Sequence, residues 1–171
     1  MGANVKEFIY KNINPVIKMN NIVKSREGVQ QLELTDEQEE KINSYAQKGN
    51  DEVDIENFEH AIGWFNKAIE VLPEPKKGWL ATGWLSACIG DACFNLHKYR
   101  EAVKHLLLAK EIYGPNGANP FVLLRLGQCY YHLNKEEDAK EYLLKTYMLE
   151  GPDMFVDEPL YFDFLKSKVL L

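Results

Sequence analysis

An all-α fold is predicted for this 171-residue chain: a right-handed superhelical stack of three helical hairpins closed by a C-terminal capping helix. The first observation behind it is a ladder of small residues that occurs three times. Gly49, Ala61, Phe65 and Ala68 are followed by Gly90, Ala102, Leu106 and Ala109, then by Gly127, Ala139, Leu143 and Thr146, with steps of 12, 4 and 3 residues in every copy. The second is that short polar turns fall between each Gly and its Ala. The third is that Pro73, Pro115 and Pro152 punctuate the ends of the copies, where a ring without an N–H stops a helix. Steps of 4 and 3 put the Ala, apolar and small residues on one helical stripe. The Gly then belongs to a neighbouring antiparallel helix, and the two helices need Gly and Ala where they touch because a larger side chain would hold the backbones apart.

The elements follow in order. Residues 1–34 read as an N-terminal extension, basic and rich in Asn. Within it, residues 4–24 alternate apolar and polar without a clean period, and Val5, Phe8, Ile9, Ile13, Val16, Ile17 and Met19 supply surface for a short helix or two broken at Pro15. Thr35-Asp36-Glu37-Gln38 has the form of a capping box and opens a helix near 36–48, with its partner near 56–71 across a polar turn from Asn50 to Asn57. Helices near 77–95 and 99–112 make the second unit, and 120–132 and 136–149 the third. Between these two units, Gly114-Pro115-Asn116-Gly117-Ala118-Asn119 is a strong turn cluster. Asn119 is placed to cap the next helix, with Pro120 at its first position. Asp157-Glu158-Pro159 starts a last helix near 158–168, whose Leu160, Tyr161, Phe164, Leu165 and Val169 form a face suited to covering the open end of the stack. The chain divides at 1–34, 35–152 and 153–171, with units of about 42–75, 76–116 and 117–152.

The ladder, together with Tyr45 one turn before Gly49, Phe58 and Tyr99 opening second helices and Tyr130 following Gly127, resembles the tetratricopeptide repeat family over roughly Ile42 to Pro152. Against that family's 34-residue period, the Ala-to-Ala spacings of 41 and 37 carry seven and three extra residues. Seven residues are about two helical turns, which predicts a lengthened first helix in the second unit from near Lys76. The other three fit the loop after Gly114.

The resemblance implies that the first helix of each unit lines a concave groove that holds an extended or helical peptide. Three- and four-step neighbours along those helices give Asn50, Trp84, Asp91, Asn95, Phe121, Arg125, Gln128 and His132 as the candidate groove. Amides, charge and aromatics in that mixture suit a peptide backbone plus apolar anchors. Arg125 is placed to pair a ligand carboxylate or stack on an aromatic. Truncating Arg125 or Phe121 to Ala is expected to weaken binding while sparing the melting temperature. Some family members grip the carboxylate tail of heat-shock chaperones with two Lys, two Asn and an Arg. At the matching places here stand Ala46 with Asn50, then Cys88, then Phe121 with Arg125. Without the lysines, the charge that would hold two carboxylates is missing.

Composition narrows the partners. The net charge is −6, with residues 1–33 at +2 and the remainder at −8; an acidic body is unsuited to nucleic acid, whose phosphates demand clustered Lys and Arg. No long apolar run marks a membrane span or leader. Cys88, Cys93 and Cys129 form no CxxC pair and read as small packing residues in a reducing, cytoplasmic setting. No cofactor or metal site is expected. The four histidines are scattered, with His60 and His105 towards the outer back and His97 in a turn, and no catalytic set converges. The acidic runs Glu37–Glu40 and Glu136–Asp138 sit at helix starts, where carboxylates favour the dipole.

The function expected is therefore protein or peptide binding, as an adaptor or chaperone-like module, and not catalysis. Two narrower versions stand beside it: a chaperone of secretion-system translocators, which small three-repeat members with an N-terminal extension resemble, and a bacterial immunity-type protein that neutralises a basic toxin through an acidic face. A separate alternative is a self-associating structural module or homodimer built on Trp79 and the aromatic tail.

Overall fold

The computed structural model describes residues 21–25, 28–114 and 119–171. Strands β1 (Asn21–Ser25) and β2 (Gly28–Leu32) form an antiparallel hairpin with Asn21 opposite Leu32 and Ser25 opposite Gly28. Seven helices follow: α1 (Asp36–Asp54), α2 (Phe58–Val71), α3 (Leu80–Asn95), α4 (Tyr99–Tyr113), α5 (Pro120–His132), α6 (Glu136–Glu150) and α7 (Pro159–Lys168). The expected apolar helix around Val5 to Met19 and the Pro115–Ala118 turn lie outside the described residues. The strand hairpin differs from expectation, and its first strand takes up residues at the end of the stretch that reads as helical.

The body is all-helical. α1 pairs with α2, α3 with α4 and α5 with α6, and each hairpin packs on the next. The ladder is the contact within each hairpin. A Cβ added at Gly90 would lie 2.7 Å from Leu106 Cγ, one at Gly127 would lie 2.6 Å from Leu143 Cγ, and Gly49 faces the Phe65 ring. Ala61, Ala68, Ala102, Ala109 and Ala139 are fully buried beside them. The turn inside each hairpin repeats as well: Glu56, His97 and Asn134, each seven residues beyond its ladder Gly, adopt φ of 61°, 58° and 57°.

Caps fall where the sequence places them. Thr35 Oγ1 accepts from the Gln38 amide at 3.2 Å while Gln38 Oε1 accepts from the Thr35 amide at 3.0 Å, the reciprocal pair of a capping box. Asn119 Oδ1 accepts from the Phe121 and Val122 amides at 3.0 and 3.3 Å. Gly114 and Gly151 close α4 and α6 with φ of 69° and 74°, backbone that glycine adopts without a Cβ clash.

Two boundaries differ from expectation. α1 continues to Asp54, six residues past its predicted end, because Gly49 is held in helix by Phe65 and Val53 reaches the core; tertiary contact outweighs the poor helix propensity of Gly and Asn. The seven extra residues of the second unit do not lengthen its first helix, which starts at Leu80. They form the connection from Leu72 to Trp79, including a 3-10 turn at Lys76–Gly78. Pro73 and Pro75 lack the N–H that continued helix would need. Lys76 Nζ instead donates to the carbonyls of Ile69 and Glu70 in α2 and of its C-cap Leu72 at 3.0, 3.1 and 2.7 Å, ending that helix with a cation. Trp79 fills the core beneath, its indole N–H donating to Pro73 O at 2.8 Å.

Candidate binding groove

The first helices α3 and α5 are sandwiched. α3 is buried continuously from Ala81 to Cys93 and α5 from Phe121 to Tyr130. Small residues, among them Ala81, Gly83, Ala87, Cys88 and Ala92, let neighbours approach α3 on all sides. All eight residues expected to line the groove lie on α1, α3 and α5, and they separate by what their polar atoms touch.

Arg125, on α5, is 4 % exposed. Its Nε donates to Asp91 Oδ1 of α3 at 2.7 Å, and its Nη1 donates to Gln128 Oε1 at 2.7 Å and to Glu158 Oε1 at 3.1 Å. Gln128 Nε2 completes the ring by donating to Glu158 Oε2 at 2.9 Å. Phe94 and Phe121 flank the guanidinium, its carbon 4.4 and 5.5 Å from their ring centres. Asn95 Nδ2 donates to the Asp91 carbonyl at 2.9 Å. A buried guanidinium is tolerated only when paired and hydrogen-bonded. Burial pulls the Arg125 pKa down, but Asp91 first and Glu158 second more than offset it and hold the group above its ordinary range.

Arg125 is expected to meet a ligand carboxylate, whereas its Nε and Nη1 are engaged within the chain. The carboxylates it meets are the chain's own, Asp91 of α3 and Glu158 just ahead of α7. Phe121, with no exposed surface, is part of the packing around it. Their truncation therefore bears on stability. Glu158 is a polar partner that helix periodicity does not reveal.

At the other end of α5, exposed His132 joins an aromatic cluster. It stacks on Tyr99 with centroids 4.3 Å apart and planes at 3°, and its Nε2 lies 2.8 Å from the Tyr161 hydroxyl. Burial, then the neighbouring His97, lowers the His132 pKa, so the imidazole is neutral at pH 7.

Trp84 and Asn50 are different. The Trp84 ring is 4 % exposed and meets Phe65 edge-on at 6.2 Å. Its indole N–H, and Oδ1 of half-buried Asn50, are shielded from water and have no hydrogen-bond partner among the described residues. One is a donor and the other an acceptor, on the first helices of consecutive units.

Cys88, Cys93 and Cys129 are buried free thiols. Burial is the main cause raising all three pKa values, Cys93 to about 11 and Cys129 to about 12, with Asp91 adding to the rise at Cys88. They stay protonated at neutral pH and so lack the nucleophilic form. Iodoacetamide at pH 8 is expected to label none of them in the folded protein within an hour and all three in denaturant; rapid labelling of Cys129 in native buffer would contradict this placement. Among the described residues no cluster of three or more His, Cys, Asp or Glu side chains is arranged to hold a metal, and no helix is long and apolar enough to cross a membrane.

This architecture is that of a helical-hairpin repeat domain, and comparison with known proteins agrees. Residues 122–150, spanning most of the third unit, match the tetratricopeptide repeat model. The chain is similar to the NMR structure of the first TPR domain of the human RPAP3 protein, with a TM-score of 0.58 and 22% sequence identity over 75% of this chain and 94% of that one. No curated protein matches it by sequence. The fold is thus that of stacked tetratricopeptide-type hairpins, and residues 122–150 carry the match to the repeat model.

Proposed function

We propose that this protein is a protein- or peptide-binding module, adaptor-like or chaperone-like, that holds a partner segment on the concave side of its first helices. The observation that carries the reading is the unpartnered pair of Trp84 Nε1 and Asn50 Oδ1. A buried polar atom without a partner costs about 1–3 kcal/mol, and a peptide backbone supplies the matching carbonyl and amide. Both atoms are shielded, so the segment reaches them by displacing what covers them. Stacked hairpins support this use, since they offer side chains at repeat spacing to a long ligand. In this reading Asn50, Trp84, Asn95 and His132 meet the partner. Asp91, Phe121, Arg125 and Gln128 hold the frame that positions them. Its place is the cytoplasm, where three free thiols persist.

Affinity capture from the native host with mass spectrometry would supply the partner, and its affinity for variants tests the site. Trp84→Phe, which keeps an aromatic ring and removes the N–H, and Asn50→Ala should each weaken binding about five-fold, equivalent to roughly 1 kcal/mol, measured on variants that remain folded at the assay temperature. Alanine at Lys67, Lys104 and Lys140 should leave affinity alone. The opposite pattern would move the site to the outer face, where the immunity-type or self-associating alternatives belong.

A further inference from the structure

A second surface stands apart from the groove. Between the C-terminal turns of α4 and α6 lies an open cleft of about 580 Å³, lined by Leu123, Met148 and Leu149 with Lys110, Lys145 and Glu111 at its rim. A volume in this range is enough for two or three apolar side chains. Leu123 is buried and forms the floor, whereas Met148 and Leu149 are 75 % and 52 % exposed. Adjacent exposed apolar residues over a concave floor mark a contact surface more often than single ones do, and methionine adapts its shape to what it meets.

The charge at the rim runs against that of the chain. The protein carries −6 overall, yet two lysines border the cleft. Glu111 meets Lys77, with Nζ 3.0 Å from its Oε1, in an exposed contact. Lys145 pairs with Glu141 in an exposed contact, of the kind that contributes little and exchanges easily. Lys110 makes no direct ion pair among the described residues, though its charge reaches Glu141, and its Nζ lies 6.0 Å from the Tyr142 ring centre. The helical body presents no strand edge here, so an extended segment would find no backbone ladder to join. A helix laid against the cleft needs none.

We propose that this cleft docks an amphipathic, acidic helix of a partner protein, its apolar side chains on Leu123, Met148 and Leu149 and its carboxylates on Lys110 and Lys145. The site is independent of the groove. The test uses two synthetic helical peptides with the same leucine positions, one with glutamates and one with lysines on the remaining face, added to the full chain carrying 13C-methyl methionine. Of the four methionines, Met148 should shift saturably with the glutamate peptide, and at least ten-fold more weakly in high salt. Lys110→Glu with Lys145→Glu should reverse the preference to the lysine peptide with the melting temperature unchanged. Trp84→Phe should have no effect, which separates failure here from failure of the groove reading. The proposal is overturned if Met148 responds to neither peptide, if it responds equally to both, or if Met154 moves in its place.

Discussion

Arg125→Ala should lower the stability of the protein by about 3–5 kcal/mol, the usual consequence of removing one member of a buried ion pair. For a chain of this size that is a fall in melting temperature of roughly 10 °C. Asp91 is 2 % exposed and loses its 2.7 Å partner. The carbonyl of Gln128 is also left without its donor, while Glu158, one-third exposed, can turn towards water. Pairing Arg125→Met with Asp91→Leu should recover much of the deficit, since an apolar replacement of a whole buried pair is often neutral. A single Arg125→Ala variant melting within about 2 °C of the parent would show that the network contributes little.

Gly127→Leu should cost about 1–3 kcal/mol by overpacking. A Cβ there would meet Leu143 Cγ at 2.6 Å, Cδ2 at 2.7 Å and the Leu143 backbone nitrogen at 3.1 Å. The backbone atom matters most, because a leucine tip can rotate aside but a helix cannot. Gly63 provides the contrast. It lies on the exposed side of α2, where a Cβ would have nothing within 4 Å, so Gly63→Ala should raise stability by about 0.5–1 kcal/mol through helix propensity alone. Thermal melts of the two variants in one buffer would decide the matter. Equal and small effects would mean that the two hairpin helices are not in close contact at Gly127.

The second helices are the most legible part of the fold, and their starts at Phe58, Tyr99 and Glu136 fall within about two residues of expectation. Each presents one buried stripe to its own hairpin, so the period of the sequence reports the contact directly. The first helices of the second and third units are buried all round. There, spacing identifies a face without saying what lies on it. Arg125 stands on the expected helix with the expected chemistry, but nothing local to residues 120–132 indicates that Glu158 arrives from the capping segment. The connection after Leu72 departs from expectation for a related reason. Seven residues fit equally well as two turns of helix or as a linker, and the two prolines that decide the question stand just before the expected start.

The network around Arg125 also determines how such a stack could be lengthened. At the second joint between units, a residue two places before a ladder Gly meets one that follows the preceding Gly. These are Arg125 and Asp91, in ionic contact. The equivalent positions of the first joint hold Cys88 and Asn50, neither of them charged at neutral pH. A hairpin spliced in at the neutral joint has no charge to satisfy. One grafted after α6 in place of α7 inherits a guanidinium with a vacant side, and must bring an acid to the place of Glu158 before its own packing can count.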